Sequence, residues 1–161
     1  MTCMDCGANI KTRSNQTVAY DFGGLPHVAL RGIDIRVCAN GHAEYVIPMI
    51  EGLHKAIASE LSVKPSRLTP EEIRFMRKYL GWSQIDFAKR MGVTPESASR
   101  WESGSVLMAP TAERLLRLMV MTVEPVQNYR NFDLFAKLSD KRGPARMKLS
   151  RQGNTWKAAV S

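Results

Sequence analysis

The chain has too few cysteines for a disulfide framework, because three thiols among 161 residues leave one unpaired however the other two combine. It has no apolar run long enough to span a bilayer and no N-terminal stretch patterned like a secretory signal, so a reduced, cytoplasmic, nucleoid-associated setting is the expectation. No Gly-rich phosphate loop and no Ser/His/Asp arrangement appears, which removes the commonest phosphate-transfer and serine-nucleophile chemistries. Acid is scarce at the C-terminal end. Residues 125–161 carry eight Lys or Arg against two Asp or Glu, residues 63–124 ten against seven, and residues 1–62 five against six, within a net charge of +8. Such an excess eases approach to phosphate but says nothing about sequence preference.

Residues 83–104 are the most informative stretch. Ser83 is placed to N-cap a helix, with Asp86 as its acidic partner at N3 and Trp82 positioned to staple onto Phe87. Gly92 permits a sharp turn. Thr94 then caps a second helix, Pro95 occupies N1 where a missing N–H costs nothing, and Ala98 and Trp101 lie on the inward face. Glu96, Ser97 and Arg100 are left facing outward. Two short helices joined in this way read as a helix-turn-helix, an ordinary helical hairpin being the plainer alternative. A helix is predicted on each side: Thr69-Pro70-Glu71-Glu72 opens one with Ile73, Met76 and Leu80 at helical spacing, and Pro110 precedes an apolar helix over 112–121, edged by Arg114 and Arg117. Four helices over 69–123 would enclose one core. So apolar a last helix either covers a partner subunit or simply packs the core.

The pattern Trp82-Ser83-Gln84, Phe87-Ala88, Gly92-Val93-Thr94 and Ser99-Arg100-Trp101-Glu102-Ser103-Gly104 resembles the XRE-type helix-turn-helix family of phage-repressor-like regulators. The resemblance implies that Gln84 binds a phosphate and that base edges are read from Glu96 and Arg100. Elementary chemistry agrees, since Arg forks onto guanine O6 and N7 and a carboxylate accepts from cytosine N4. The Thr94 hydroxyl and the amides at the start of the second helix suit phosphate. Pro95 stands where relatives often read a base, so fewer direct contacts are expected.

A second constellation lies at the other end. Cys3-Met4-Asp5-Cys6-Gly7 is a pair of thiols two residues apart, and Cys38-Ala39-Asn40-Gly41-His42 adds a third thiol and an imidazole. That is the ligand number and spacing of a structural zinc site, with Gly7 and Gly41 free to turn around the sulfurs. His42 is favoured as fourth ligand by position, whereas His27 in a loop and His54 on a helix read as surface or packing residues. A catalytic zinc of the nucleobase-deaminase kind, with His42-Ala43-Glu44 as its core, is disfavoured: the order of motifs is inverted, Cys38 would close the open coordination position, and so short a segment offers no deep pocket. The chain is therefore not expected to be an enzyme.

Between these knuckles Ile33, Ile35 and Val37 alternate with Asp34 and Arg36, and Tyr45 and Ile47 with Glu44 and Val46, which predicts half-buried strands. A weaker extended stretch, Val18, Tyr20 and Phe22, precedes Gly23-Gly24. So thin a sheet needs a staple, and a metal would supply it. Ile50, Leu53, Ile57 and Leu61 then mark one helix face. The polar residues that follow read as a linker, giving a zinc module over 1–62, a linker over 63–68, a helix-turn-helix domain over 69–124 and a basic extension over 125–161. The extension has two readings: a cationic tail that orders on DNA, or a solvated one with an amphipathic segment around Phe132, Leu134, Phe135 and Leu138.

Taken together, the two-knuckle module, the helix bearing Ile50-Glu51-Gly52-Leu53-His54 and the helix-turn-helix resemble the MqsA-type antitoxins, proteins with a YgiT-type zinc finger. The fold implied is α+β, a small zinc-stapled sheet with a helix followed by a mainly helical domain. The function implied is a homodimeric transcriptional repressor that binds double-stranded DNA at a palindromic operator, with one structural Zn2+ per chain on Cys3, Cys6, Cys38 and His42, and in some members neutralises a ribonuclease toxin. A stand-alone or metal-responsive regulator, or a protein-interaction adaptor, is the alternative. The chain differs from the family at Gly41-His42, where a second Cys is usual, and in its tail.

Overall fold

The computed structural model describes residues 1–20, 24–122, 147–152 and 155–160. Three strands, β1 (Ile10–Ala19), β2 (Ala29–Cys38) and β3 (Ala43–Val46), form an antiparallel sheet in that order. β1 is longer and more polar than its apolar pattern predicts, and Phe22 of the expected stretch lies outside the described residues. Pairing with β2 is what makes this polar segment a strand, since strand preference is mostly a matter of neighbours. Its register with β2 slips twice. β1 takes an extra residue beside Asn15, at φ 55°, and β2 takes one at Gly32, at φ 80°. The second slip brings Leu30 and Ile33 onto the same side, so that Val18, Tyr20, Leu30 and Ile33 form one buried cluster.

α1 (Ile50–Val63) covers that cluster with Leu53 and Ile57. Four further helices follow: α2 (Pro70–Tyr79), α3 (Gln84–Met91), α4 (Pro95–Ser103) and α5 (Pro110–Thr122). The capping chemistry places their starts. Thr69 and Glu72 form a full capping box on α2, and Ser83 and Asp86 form one on α3. Trp82 stacks on Phe87 with ring centroids 6.4 Å apart, the expected staple. Gly92 ends α3 in the left-handed conformation, and Thr94 caps α4 by accepting from the Ser97 N–H. Gly104, at φ 78°, ends α4 where an added Cβ would lie 3.0 Å from Pro70, so a side chain there meets both backbone strain and a neighbouring ring.

The helices share a core of Ile73, Met76, Leu80, Phe87, Ala98, Trp101 and Leu116, and Ala58 of α1 belongs to it as well. The sheet and the helices are thus packed against each other through α1. A polar chain reinforces the join: Tyr20 Oη lies 2.6 Å from His54 Nε2, and the His54 ring meets Phe75 edge-on. The connector after α1 is also tied down. Arg117, expected on a polar edge, turns inward and donates to the carbonyls of Lys64 at 2.5 Å and Ser66 at 2.6 Å. Buried Glu113 accepts from Arg117, from Arg67 Nε at 2.5 Å and from the Leu68 N–H at 3.1 Å. Burial works against this carboxylate, but the two guanidinium groups prevail and hold it below the usual range. Beyond α5, β4 (Met147–Gln152) and β5 (Thr155–Val160) pair as an antiparallel hairpin. The amphipathic segment expected around Phe132 to Leu138 lies outside the described residues.

Candidate functional site

Two short turns build the candidate metal centre. In the first, the Gly7 N–H donates to the Cys3 carbonyl and the Cys3 N–H to the Ala8 carbonyl, both at 2.8 Å, with Gly7 at φ 69°. In the second, the Gly41 N–H donates to the Cys38 carbonyl at 3.1 Å and the Cys38 N–H to the His42 carbonyl at 3.0 Å, with Gly41 at φ 86°. The pairing of Ile10 with Cys38 sets the turns side by side. Cys3, Cys6, Cys38 and His42 then bring their ligand atoms within 4.8 Å of one another and can hold a metal ion. Cys6 Sγ lies 3.7 Å from Cys38 Sγ, and Cys3 Sγ lies 3.5 Å from His42 Nδ1. Sulfurs about 2.3 Å from a tetrahedral centre are about 3.8 Å apart, and a sulfur and a nitrogen about 3.6 Å apart. The donor set fits such an ion. It does not fit a disulfide, whose S–S bond is about 2.05 Å.

The Cys6 and Cys3 thiols are shifted in opposite directions. The Ala8 backbone N–H, opposed by burial and helped by Asn40, Cys3 and His42, holds the Cys6 thiol down to about 6. For Cys3 the Asp5 amide works downward, yet burial and the neighbouring Cys6 and Cys38 thiols prevail and raise it. Crowded sulfurs cannot all ionise unaided, and a divalent ion removes that conflict. The two other histidines lie elsewhere: His27 is exposed, and His54 is engaged by Tyr20 and Phe75. Glu44, the acid of the deaminase-like motif, is an exposed edge-strand residue 3.5 Å from Arg36. A groove of about 630 Å³ reaches Cys3 and His42 and is lined by Met1, Met4, Ile10 and Tyr45 together with Asp5, Arg36 and Glu44.

The candidate nucleic-acid face is built on α3 and α4. Thr94 Oγ1 accepts from the Ser97 N–H at 3.3 Å and lies 3.1 Å from Ser97 Oγ, at the open amide end of α4. Glu96 and Arg100 are exposed one turn apart. The Glu96 amide, with help from Thr94 and Arg100 and against slight burial, holds that carboxyl below its ordinary range. Gln84 lies at the start of α3, and its Nε2 donates to Glu102 Oε2 at 3.3 Å. Trp101 is buried against Phe87, as its place on the inward face requires.

Glu102 is the residue that sequence reasoning passed over. It is 4 % exposed. Its carboxylate accepts from both Arg77 Nε and Arg77 Nη2, the latter at 3.1 Å, while Arg77 Nη1 donates to the Trp82 carbonyl at 2.7 Å and Arg74 Nη2 to the Glu102 carbonyl at 2.7 Å. One buried fork thereby fixes α2, the turn before α3, and the end of α4. A signal existed: Glu102 follows Ala98 by one turn, on the inward face, and a carboxylate there requires a cation.

A capped pair of helices with an outward polar set, inside a four-helix core, defines a helix-turn-helix DNA-binding domain. Residues 73–120 match the Helix-turn-helix family, which supports an XRE-type regulator. No curated protein and no solved structure matches the chain.

Proposed function

We propose that the protein is a sequence-specific transcriptional repressor, homodimeric on a palindromic operator, whose N-terminal module holds one structural Zn2+ through Cys3, Cys6, Cys38 and His42 and serves as the antitoxin surface for a basic ribonuclease. The observation that carries the DNA-binding part is the outward set Thr94, Glu96, Ser97 and Arg100 on a helix held from behind by Trp101 and Glu102. Thr94, Ser97 and Gln84 suit phosphate, and Glu96 and Arg100 suit base edges. Soft thiolates with one imidazole in a tetrahedron favour zinc over harder divalent ions. The groove beside the knuckles and the slight acidity of residues 1–62 suit a basic partner.

Arg100→Ala is expected to weaken operator binding by about 1–3 kcal/mol and to relax preference at one position, whereas Gln84→Ala weakens all duplexes alike. Binding titrations over single-base operator variants read both. An unchanged ranking with Arg100→Ala would make Arg100 a phosphate contact only. For the antitoxin role, the test is zinc-dependent co-purification with the product of the adjacent gene, together with relief of that product's toxicity.

The dimer part rests on α5. Leu118 and Met121 are 55 % and 61 % exposed, one turn apart, with Leu115 on the same side. A self-complementary apolar stripe of this kind suits a two-fold partner. Leu118→Glu is expected to convert the dimer to a monomer in analytical ultracentrifugation while leaving the fold intact. A variant that sediments like the parent would move the interface elsewhere.

A metal-responsive regulator is the second reading, favoured by one observation: the sheet carrying the metal ligands packs through Tyr20, His54 and Phe75 onto α2. Operator affinity that changes on reversible zinc loading, with no toxic neighbour, would select it.

A further inference from the structure

We propose that the hairpin of β4 and β5 is a second DNA contact, a cationic ribbon that lies along the phosphate backbone and adds affinity without sequence preference. The pairing sets Lys148 opposite Ala159, Ser150 opposite Lys157 and Gln152 opposite Thr155. Opposed residues of an antiparallel pair share a face, as do alternate residues along a strand. One face of the ribbon thus collects Lys148, Ser150, Gln152, Thr155, Lys157 and Ala159. The other collects Met147, Leu149, Arg151, Trp156, Ala158 and Val160.

The charge pattern selects the partner. From residue 141 to the last residue, Lys141, Arg142, Arg146, Lys148, Arg151 and Lys157 stand with no Asp or Glu at all. A segment without internal counter-charge is matched by a polyanion. Strands of six residues make a ribbon about 20 Å long, and a two-stranded ribbon is of a size that a DNA groove admits. Ser, Thr and Gln on the cationic face are residue types that donate to phosphate oxygens. The same chain carries the helix-turn-helix, so the ribbon meets its polyanion as a tethered second event, at an effective concentration near the millimolar range. The inference rests on the DNA-binding reading for the choice of polyanion. It adds a surface outside the helix-turn-helix and a different dependence on salt and sequence.

The test uses the full chain and its Lys148→Ala, Lys157→Ala double variant, titrated on operator and on unrelated duplex at several salt concentrations. Two lost phosphate contacts should make the slope of log affinity against log salt shallower by about 1.8 on both duplexes. The ranking of single-base operator variants should stay the same. The Lys148→Arg, Lys157→Arg variant should restore the slope, which separates charge from folding. An unchanged slope in the alanine variant overturns the proposal, as does a change confined to the operator. Loss of binding to phosphatidylserine vesicles with DNA binding intact also overturns it, in favour of a membrane surface. If the parent binds no duplex at all, the helix-turn-helix reading falls as well; duplex binding with an unaltered slope removes only the ribbon.

Discussion

Chelating the metal from the intact protein is expected to unfold the three-stranded sheet while the helices of the C-terminal domain persist. Among the described residues the sheet's own cluster buries Val18, Tyr20, Leu30 and Ile33, with Val28, Ile35 and Ile47 partly buried against them, and its two ligand-bearing turns are held by a few backbone hydrogen bonds. Binding of a structural zinc supplies about 10 kcal/mol or more of folding free energy in small modules, more than so small a cluster supplies alone. Elemental analysis should give one zinc per chain. Amide exchange should then show residues 10–46 losing protection on chelation while residues 70–104 keep theirs, and the three thiols should become reactive together. His42→Ala should weaken zinc binding. His27→Ala and His54→Ala should not, because neither imidazole belongs to the ligand cluster. A sheet whose exchange is indifferent to chelation would sink the structural role.

Glu102→Ala is expected to destabilise the helix-turn-helix domain by about 3–5 kcal/mol, the usual consequence of stripping one partner from a buried ion pair. Arg77 would be left 9 % exposed with its charge uncompensated. Gln84 would lose the acceptor that orients its amide, so affinity for all duplexes should fall along with stability. Urea unfolding of the full chain, followed by helix signal, measures the first effect and duplex titration the second. Replacing both partners with apolar residues, Glu102→Leu with Arg77→Met, should recover most of the stability, since the pair is worth little against good packing. It should not recover the orientation of Gln84. A mild effect of Glu102→Ala would mean that water reaches the fork.

The contrast between these sites explains what the sequence discloses. Ligand spacing and helix caps are local: Cys3 and Cys6 share a turn, and Thr69 with Glu72 or Ser83 with Asp86 lie within four residues, so motif and structure coincide. The Arg77–Glu102 fork and the Arg117 clamp on the connector join residues far apart in sequence, and neither partner announces the other. β1 was illegible over Ile10–Thr17 for another reason. Its side chains are mostly exposed and polar, and the extra residue beside Asn15 breaks the alternation that would betray a strand. The terminal hairpin has a sequence signal, because Gly153-Asn154 separates two alternating stretches, but the Lys and Arg distributed through it make the same residues read equally as a cationic tail. The separation into halves suggested by charge also conceals the packing of Ala58 into the helical core, which no local pattern records.

The clamped connector removes a hinge. With the carbonyls of Lys64 and Ser66 held by Arg117, and Arg67 and Leu68 held by Glu113, the metal-bearing sheet keeps a fixed azimuth relative to α4. On the reading proposed above, in which α4 enters the DNA groove and a partner seats on the two ligand-bearing turns, that partner is carried around the double helix in step with α4, and its rotational phase on the duplex follows from where α4 docks. Whether that partner and the DNA occupy the protein together is then decided by steric fit at one angle, and no slack in the connector can average the answer.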